Sequence, residues 1–365
     1  KGWFTDHYLP VIHGDRLFKV RAKSCVLATG SSEQHVVFRN NDLPGVVLCS
    51  ALERLVNHYA VSPQGKLVVL AGNDQAWLAA LTAAEAGLSV RAVVDLRDAP
   101  DDVALLAEAN ARGMTVHTGA TVYTARRDAE SQSLCGVDIH RIDARGGVGE
   151  LTAQHDCAVL AMSAGFMPAY QLACQAGAKL DYDDDRAAFT LSGLPAGLML
   201  AGSVNSMHSL DAVLADGRNA ARAALRRIDR TADEDESVIC AVQVNHPWPI
   251  FPHPKGREFV DFDEDLQIKD IVNATRLGYC DVQLVKRYST VGMGPSQGRH
   301  AALPTARLVA KATERTVSET GVTTARPPVK PEALGHIAGR RFHPHRHTAI
   351  ADRHNAAGAQ WMPAE

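Results

Sequence analysis

A strand–helix–strand unit in the first hundred residues constrains the fold of this chain most strongly. Residues 66–71 form an apolar run, residues 77–86 have a helical apolar pattern that ends at Gly87, and residues 90–94 form a second apolar run that ends in Asp95. Glycine commonly follows the last turn of a helix, and about 30 residues is the usual length of a βαβ unit. Strands and helices alternate from residue 17 to residue 225, which predicts an α/β fold.

The loop of this βαβ unit is a weak match to a dinucleotide-binding loop. It reads, in order, Ala71, Gly72, Asn73, Asp74, Gln75 and Ala76. Such a loop needs glycines so that the backbone can approach a pyrophosphate, and the Asp74 carboxylate would stand beside any phosphate. Asp95 suits a ribose diol. Two alternatives therefore stay open, a nucleotide site and a structural Rossmann-like unit without a ligand, and the second is favoured.

Two other strand ends are a second candidate site. The apolar run at residues 25–28 ends in Thr29-Gly30, and the run at residues 198–201 ends in Gly202-Ser203. This order is similar to that of flavoproteins with two dinucleotide-binding domains, where the two strand ends flank one dinucleotide. An aspartate that binds the flavin ribityl chain is typical of the second strand end, and Ser203 stands there instead. Small residues also suit ordinary tight turns, so a plain strand end remains the alternative.

Composition excludes several classes of function. The net charge is −3, which gives no basic excess for nucleic acid, and the uncharged stretches at residues 157–178 and 189–210 are interrupted by polar residues, Gly and Pro, unlike a membrane span. The seven cysteines are scattered without a CxxC pair, which indicates reduced structural thiols and a cytoplasmic protein. The tail contains His343, His345, His347 and His354, but it is rich in Pro and Gly, so we predict no metal site.

Several short segments, in a fixed order along nearly the whole chain, carry a resemblance to a known family. They are VLATG (26–30), VVF (36–38), NNDLPGV (40–46), ND (73–74), VVDLR (93–97), FVDF (259–262), KDI (269–271), VKRYST (285–290), GMG (292–294), QG (297–298) and GVTTARPP (321–328). With these segments the chain resembles the alpha subunit of heterotetrameric sarcosine oxidase.

The resemblance implies a fold of the two-dinucleotide-binding-domain flavoprotein type (disulfide-reductase type), followed by a small helical module. It implies a non-covalent NAD at the position of FAD in related flavoproteins, which agrees with the loss of the ribityl-binding aspartate at Ser203. The residues expected near this NAD are Thr29, Gly30, Gly202, Ser203, His208 and Leu210, the last two by their spacing after the strand end. No residue of the chain is predicted to be catalytic.

The resemblance also implies an enzyme complex, a flavin-dependent amine oxidoreductase. In the intact heterotetramer, with beta, gamma and delta subunits, FAD and covalent FMN belong to the beta subunit or to its interface with alpha. Sarcosine would be oxidised to glycine with formation of hydrogen peroxide, and tetrahydrofolate would accept the one-carbon unit. The alternatives are a related amino acid, opine or proline dehydrogenase subunit, and a non-catalytic scaffold with a degenerate nucleotide fold.

The helical module resembles bacterioferritin-associated ferredoxin without its cluster. In cluster-bearing dehydrogenase relatives, four cysteines of this module hold a [2Fe–2S] cluster. The corresponding positions here are Asp261, Asp263, Ser296 and Ala301. Four thiolates are needed for such a cluster, so the sequence predicts that none is bound.

The resemblance divides the chain into four parts. Residues 1–45 and 151–232 are expected to form a truncated FAD/NAD-binding-like domain, residues 46–150 an inserted Rossmann-like domain, residues 233–325 the helical module, and residues 326–365 a linker toward a folate-binding domain. The family's first glycine-rich loop would lie before Lys1, and its folate domain would begin near Arg346 and Thr348, where Ala349 replaces the family's proline. We therefore expect a fragment that by itself is inactive and binds NAD weakly.

Overall fold

The computed structural model describes residues 2–4, 7–238, 245–338 and 347–361. Its strands are β1 (Tyr8–His13), β2 (Arg16–Arg21), β3 (Cys25–Leu27), β4 (Ser31–Gln34), β5 (Val46–Leu48), β6 (Lys66–Ala71), β7 (Ser89–Asp95), β8 (Thr115–His117), β9 (Ala120–Arg127), β10 (Leu134–Ile142), β11 (Val148–Asp156), β12 (Val159–Ser163), β13 (Gly165–Pro168), β14 (Lys179–Asp183), β15 (Ala188–Ser192), β16 (Leu198–Leu200), β17 (Phe259–Asp261) and β18 (Leu266–Gln267).

The helices are α1 (Cys49–Asn57), α2 (Asp74–Glu85), α3 (Val103–Ala111), α4 (Gln171–Ala176), α5 (Leu210–Arg227), α6 (Ile268–Arg276), α7 (Val282–Ser289), α8 (Ala302–Ala312), α9 (Val317–Thr320), α10 (Leu334–Ile337) and α11 (Ala351–Ala356). In the described part of the chain, no helix is both long enough and apolar enough to cross a membrane.

A five-stranded parallel sheet, in the order β5-β12-β6-β7-β8, forms the centre of the first 165 residues. Strand β6 has apolar side chains on both faces, as is usual when both faces of a parallel sheet are covered. Val68 and Leu70 pack toward strands β9 and β10, whereas Leu67 and Val69 pack toward α1, α2 and α3.

A second, antiparallel sheet in the order β11-β10-β9 covers one face of the parallel sheet. The domain boundary that we expected between residues 150 and 151 falls inside β11. Strand β12, which we had assigned to the domain of residues 151–232, pairs with β6 in the parallel sheet. The strands that begin at residue 46 therefore continue to Ser163. The expected domain boundary was therefore misplaced, because β12, which follows it, belongs to the parallel sheet of the inserted domain.

Smaller sheets join the outer segments. Strand β16 pairs with β3 in parallel, β13 with β4 in antiparallel, and β14 with β15 as a hairpin. Strand β2 pairs with β1 as an antiparallel hairpin. Residues 231–238 contain neither helix nor strand.

The helical module packs α6, α7 and α8 around a core that includes Ile271, Val285 and Val309. Helix α8 ends at Ala312 and α9 begins at Val317. The two helices are separate because the Thr316 hydroxyl accepts a hydrogen bond from Glu319 N and so caps a new helix.

The segment at residues 36–41 connects three parts of the molecule. Val37 accepts and donates backbone hydrogen bonds with residues 249 and 251, and Arg39 does so with residues 123 and 125 of β9. The Asn41 side chain donates to Phe259 O at 2.9 Å and accepts from Phe259 N at 2.9 Å. This asparagine therefore fixes β17 of the helical module to the rest of the chain.

Candidate functional site

The strand ends that the sequence analysis singled out lie side by side. Strands β3 and β16 run parallel with Leu27 opposite Leu200, and Ala201 N donates to Leu27 O at 2.9 Å. Parallel strands finish at the same edge of a sheet, so Thr29-Gly30 and Gly202-Ser203 meet there. We call these four residues the strand-end crevice. Ligands of open α/β sheets commonly bind outside the carboxyl ends of strands.

Glycines stand at the two turns of the crevice. Gly30 has φ +77° and Gly202 has φ +79°, a conformation that favours glycine. A Cβ atom on Gly30 would lie 3.8 Å from Ser203 Oγ and would partly fill the crevice. Thr29 Oγ1 donates to Ala169 O at 3.0 Å, which fixes this threonine to the start of α4.

Asp216 of α5 holds the second strand end, and it is not among the residues predicted for this site. Its buried carboxylate accepts hydrogen bonds from Gly202 N at 2.8 Å and from Asn205 Nδ2 at 3.0 Å. The tight turn at residues 202–205 is therefore bound to the helix that follows it. An aspartate on the alanine-rich buried face of a helix was the available signal, since such a group needs a hydrogen-bond partner.

The other two predicted residues lie farther along the same connection. His208 is half-buried, and its ring centroid is 6.3 Å from that of Phe166. Burial lowers the pKa of His208, and the positive charge of Arg186 acts in the same direction, so its imidazole is neutral at pH 7. Leu210 begins α5 and is 73% exposed. The structure thus groups Thr29, Gly30, Gly202 and Ser203 and leaves Leu210 at the surface.

The loop between β6 and α2 is closed by its own contacts. Asn73 caps α2 by accepting from Ala76 N at 3.1 Å, and it donates to Ser163 Oγ at 3.1 Å. A Cβ atom on Gly72 would lie 3.1 Å from Ser163 O and 3.2 Å from His246 Cβ. The glycine therefore permits packing against β12 and residue 246, and the loop has little space for a pyrophosphate.

Asp95, which we considered for a ribose diol, is fully buried and engaged within the protein. Its carboxylate accepts from Trp77 Nε1 at 2.6 Å, and it pairs with Arg97 at 2.9 Å. Arg97 also pairs with Asp74 at 2.8 Å. Burial opposes the charge of Arg97, but hydrogen bonds with Asp95 and Asp74 outweigh it and raise its pKa. These contacts favour the structural alternative for this βαβ unit.

The positions that correspond to cluster cysteines also come together. Asp261 Oδ2 accepts from Gly292 N at 2.7 Å, and Asp263 Oδ2 accepts from Ser296 N at 2.8 Å. His300 Nε2 lies 3.3 Å from Asp261 Oδ1. Asp261, Asp263 and His300 are thus a group whose ligand atoms are close enough for a cation. The two carboxylates already bind backbone N–H groups, and in this way they join β17 to the loop before α8.

The cysteines that the structure describes are free thiols. Burial raises the pKa of Cys157 to about 12 and that of Cys174 to about 11. A thiol with a raised pKa is a poor nucleophile, which agrees with the structural role that we predicted. Cys240 lies outside the described residues, as do His343 and His345. Of the tail histidines that are described, His354 packs against Trp361, with ring centroids 5.7 Å apart.

Comparison with known proteins shows which proteins this chain is similar to. Residues 255–340 match the sarcosine oxidase A3 domain. This chain is 32% identical over 363 residues to the sarcosine oxidase subunit alpha of Rhizobium meliloti (strain 1021). The alignment covers 97% of this chain and 35% of that protein. The chain is 25% identical over 372 residues to an opine oxidase subunit of the same organism, with 92% of the chain and 79% of the relative covered.

Among solved structures, L-proline dehydrogenase from P. horikoshii has the same fold. The TM-score is 0.65 at 22% identity, with 92% of this chain and 63% of that chain covered. The predicted fold class, an α/β flavoprotein-like fold followed by a small helical module, is therefore confirmed. The chain spans about a third of the length of the sarcosine oxidase alpha subunits that it matches. The predicted resemblance is confirmed: nearly the whole chain is similar to a segment of sarcosine oxidase alpha subunits, and residues 255–340 match the A3 domain.

Proposed function

We propose that this chain is the dinucleotide-holding part of an alpha subunit in a flavin-dependent amine oxidoreductase, with sarcosine as the amine. The observation that carries the proposal is the strand-end crevice, in a chain that is 32% identical to a sarcosine oxidase alpha subunit. The complex would convert sarcosine to glycine and hydrogen peroxide in the cytoplasm, with beta, gamma and delta subunits as partners and tetrahydrofolate as the one-carbon acceptor.

The residues of the crevice fit a dinucleotide. Gly30 is only half-buried and has no side chain, so a ligand can approach its backbone closely. The N-terminus of α5, an 18-residue helix, follows the second strand end, and helix N-termini favour negative charge. In our proposal Thr29, Gly30, Gly202, Ser203, His208 and Leu210 lie near NAD, which supplies no chemistry to sarcosine there and serves as a bound structural group.

Ser203 selects the dinucleotide in this proposal. Its hydroxyl is neutral and can donate or accept a hydrogen bond, whereas an aspartate only accepts when ionised. An aspartate would suit the hydroxyl-rich ribityl chain of FAD. The flavins of the complex, FAD and FMN, would then be held with the beta subunit, and no cluster would be held at Asp261, Asp263, Ser296 and Ala301.

The test is cofactor release from the purified complex, with Ser203→Asp as the key variant. We expect the wild-type complex to release NAD together with flavin, and to form peroxide from sarcosine. In Ser203→Asp, the ratio of FAD to NAD bound at the alpha subunit should rise about tenfold or more, since a hydrogen bond to a charged group contributes roughly 1.5–3 kcal/mol.

Ser62→Asp is the matched control, because it adds the same charge in an exposed loop away from the crevice. It should leave the ratio unchanged. Release of no NAD from the wild-type complex would reject the assignment of the crevice.

A second candidate function is that of an opine or amino acid dehydrogenase subunit. It is favoured by the opine oxidase relatives, one of which is covered over 79% of its length. Dye reduction by an opine or proline, without peroxide formation from sarcosine, would select it. A third, a scaffold without cofactor, is supported by the closed loop at Asn73 and Asp95, and release of no cofactor at all would select it.

A further inference from the structure

A broad groove lies between the antiparallel sheet and the helical module, away from the strand-end crevice. Its volume is about 900 Å³, and its walls come from residues 145–148, residues 247–252 and the end of α8 with the start of α9. The charged side chains that line it are Arg145, Asp184, Arg307, Lys311 and Arg315. We call it the basic groove, because four cations face one carboxylate.

Arg307 is the unusual residue of the basic groove. It is only 2% exposed, yet among the described residues it forms no ion pair with a carboxylate. Its Nη2 donates to Ala187 O at 3.1 Å, and its Nε has no hydrogen-bond partner. Burial lowers the pKa of Arg307, and the neighbouring Tyr182 hydroxyl acts in the opposite direction. The two groups that it contacts, a backbone carbonyl and a phenol, are thus neutral.

A buried guanidinium without a counter-charge is an expensive arrangement. Buried charges in proteins are paired or coordinate an ion, and arginine cannot escape by losing its proton at ordinary pH. Arg307 therefore lies at the bottom of the groove without a negatively charged partner. The Asp184 carboxylate lines the same groove but lies beyond ion-pair distance from Arg307.

The other side chains of the groove extend this cationic surface. Lys311 is exposed one turn after Arg307 on α8, and its Nζ lies 4.5 Å from the ring centroid of Trp248. Arg315 donates to Thr313 Oγ1 and to Cys280 O, which are both neutral. Arg145 lies on an exposed turn near Asp143. A ligand here would meet Arg307 below, Lys311 at the side and the indole of Trp248.

We propose that the basic groove binds a small organic anion whose carboxylate or phosphate group pairs with Arg307 and Lys311. The volume of about 900 Å³ lies within the range of small-molecule sites. Guanidinium groups bind both kinds of anion through paired hydrogen bonds. The strand-end crevice and the basic groove share no lining residue, so this inference does not depend on the proposed dinucleotide site.

The experiment titrates the full chain with inorganic pyrophosphate in one series and with glutarate in another, at ionic strength held constant with sodium chloride. Emission of Trp248 and the melting temperature are both recorded. We expect a saturable change in emission and a rise in melting temperature with one of the two probes, and the probe that acts assigns phosphate or carboxylate as the preferred group. Trp248→Phe should lose the change in emission, which assigns the signal to this indole among the four tryptophans of the chain.

Two variants test the residues. Arg307→Met keeps the side-chain volume, and it should abolish the anion-dependent rise in melting temperature. Lys311→Gln removes an exposed charge without disturbing the core, and it should raise the apparent Kd by roughly three- to tenfold. Lys269→Gln, which removes an exposed lysine of α6 outside the groove, is the matched control and should bind as the wild type does.

Three results would overturn the proposal. The first is the lack of a saturable response to both probes in the wild-type chain. The second is an equal loss of affinity in Lys311→Gln and Lys269→Gln, which would indicate general screening of charge. The third is an Arg307→Met variant that melts at a lower temperature but keeps the full anion-dependent rise, because Arg307 would then only connect α8 to the β14–β15 hairpin.

Discussion

The strand-end crevice and the loop between β6 and α2 are built in the same way, yet they differ in what occupies the space beyond the strands. Both lie at the carboxyl ends of parallel strands, and both are followed by a helix. At the crevice, the two turns carry Gly30 and Gly202, which have no side chain. At the β6–α2 loop, Asp95 and Arg97 occupy the corresponding space as a buried ion pair. The topology therefore permits a ligand site, and the side chains at the strand ends decide whether one exists.

Removing the charge that closes the β6–α2 loop should have the largest effect. Arg97→Met leaves Asp95, which is fully buried, without its counter-charge. Breaking one partner of a buried pair costs about 3–5 kcal/mol, and we expect the free energy of unfolding to fall by about that amount. Urea unfolding followed by circular dichroism measures it.

Arg112→Met is the matched control for this change. Arg97 forms three ion pairs, one of them with the buried Asp95. Arg112 forms two, with Glu85 and Glu108, and both lie at the surface. Exposed pairs contribute little to stability, so the loss should be much smaller than in Arg97→Met. Equal losses in the two variants would mean that the Asp95–Arg97 pair does not close the loop in the way described.

Acid should weaken the same closed region through His246, which packs over Gly72. Burial lowers the pKa of His246 to about 4, and Arg307 and Arg97 act in the same direction. The unfolded chain takes up a proton below its ordinary pKa of about 6.5, while the folded chain does not. Stability is therefore lost as the pH falls from about 6.5 toward 4, by roughly 2 kcal/mol at pH 5 for this group.

His246→Gln tests the assignment, since glutamine can still accept the hydrogen bond from Trp248 N but cannot titrate. The difference in the free energy of unfolding between pH 7 and pH 5 should shrink by roughly 2 kcal/mol. His354→Gln, at an exposed helix position, should leave that difference as it is in the wild type. An unchanged difference in His246→Gln would show that the acid sensitivity arises elsewhere.

The same two regions show how far sequence reasoning reaches. The meeting of Gly30 and Ser203 was predictable, because two apolar runs that end in glycine identify strand ends, and parallel strands end together. The fate of Asp95 was not, since its partners come from the helix, at Trp77, and from a side chain two residues along, at Arg97. A motif places a carboxylate at a strand end but does not tell which group it contacts.

The remaining errors have similar causes. The start of α2 at Asp74 depends on the cap formed by Asn73. The periodic pattern of apolar residues does not show such a cap, so it indicated the helix only from residue 77. The boundary near residue 150 failed because β12 pairs with β6 across the long insertion, and the register of distant strands cannot be found from local pattern. Asp216 was missed because its partner is a backbone N–H group brought close by a tight turn.

The smallest expected effect on stability, and the most direct test of the crevice, comes from Gly30→Ala. The residue has φ +77°, and an alanine in this conformation costs roughly 1–2 kcal/mol. The added Cβ would lie 3.8 Å from Ser203 Oγ, in the space that a dinucleotide would need beside the Gly30 backbone. We expect a stability loss of about that size together with reduced occupancy of the dinucleotide, measured by cofactor release from the complex.

Gly14→Ala separates the two consequences of that substitution. Gly14 has φ +58° in the β1–β2 turn, and a Cβ there would meet no atom within 4 Å. Its backbone strain is similar, but it is far from the crevice. It should lower stability to a similar degree and leave the cofactor content unchanged. If the two variants lost cofactor equally, the loss would follow from general destabilisation. The strand-end crevice would then be no more a ligand site than the closed loop at Asp95.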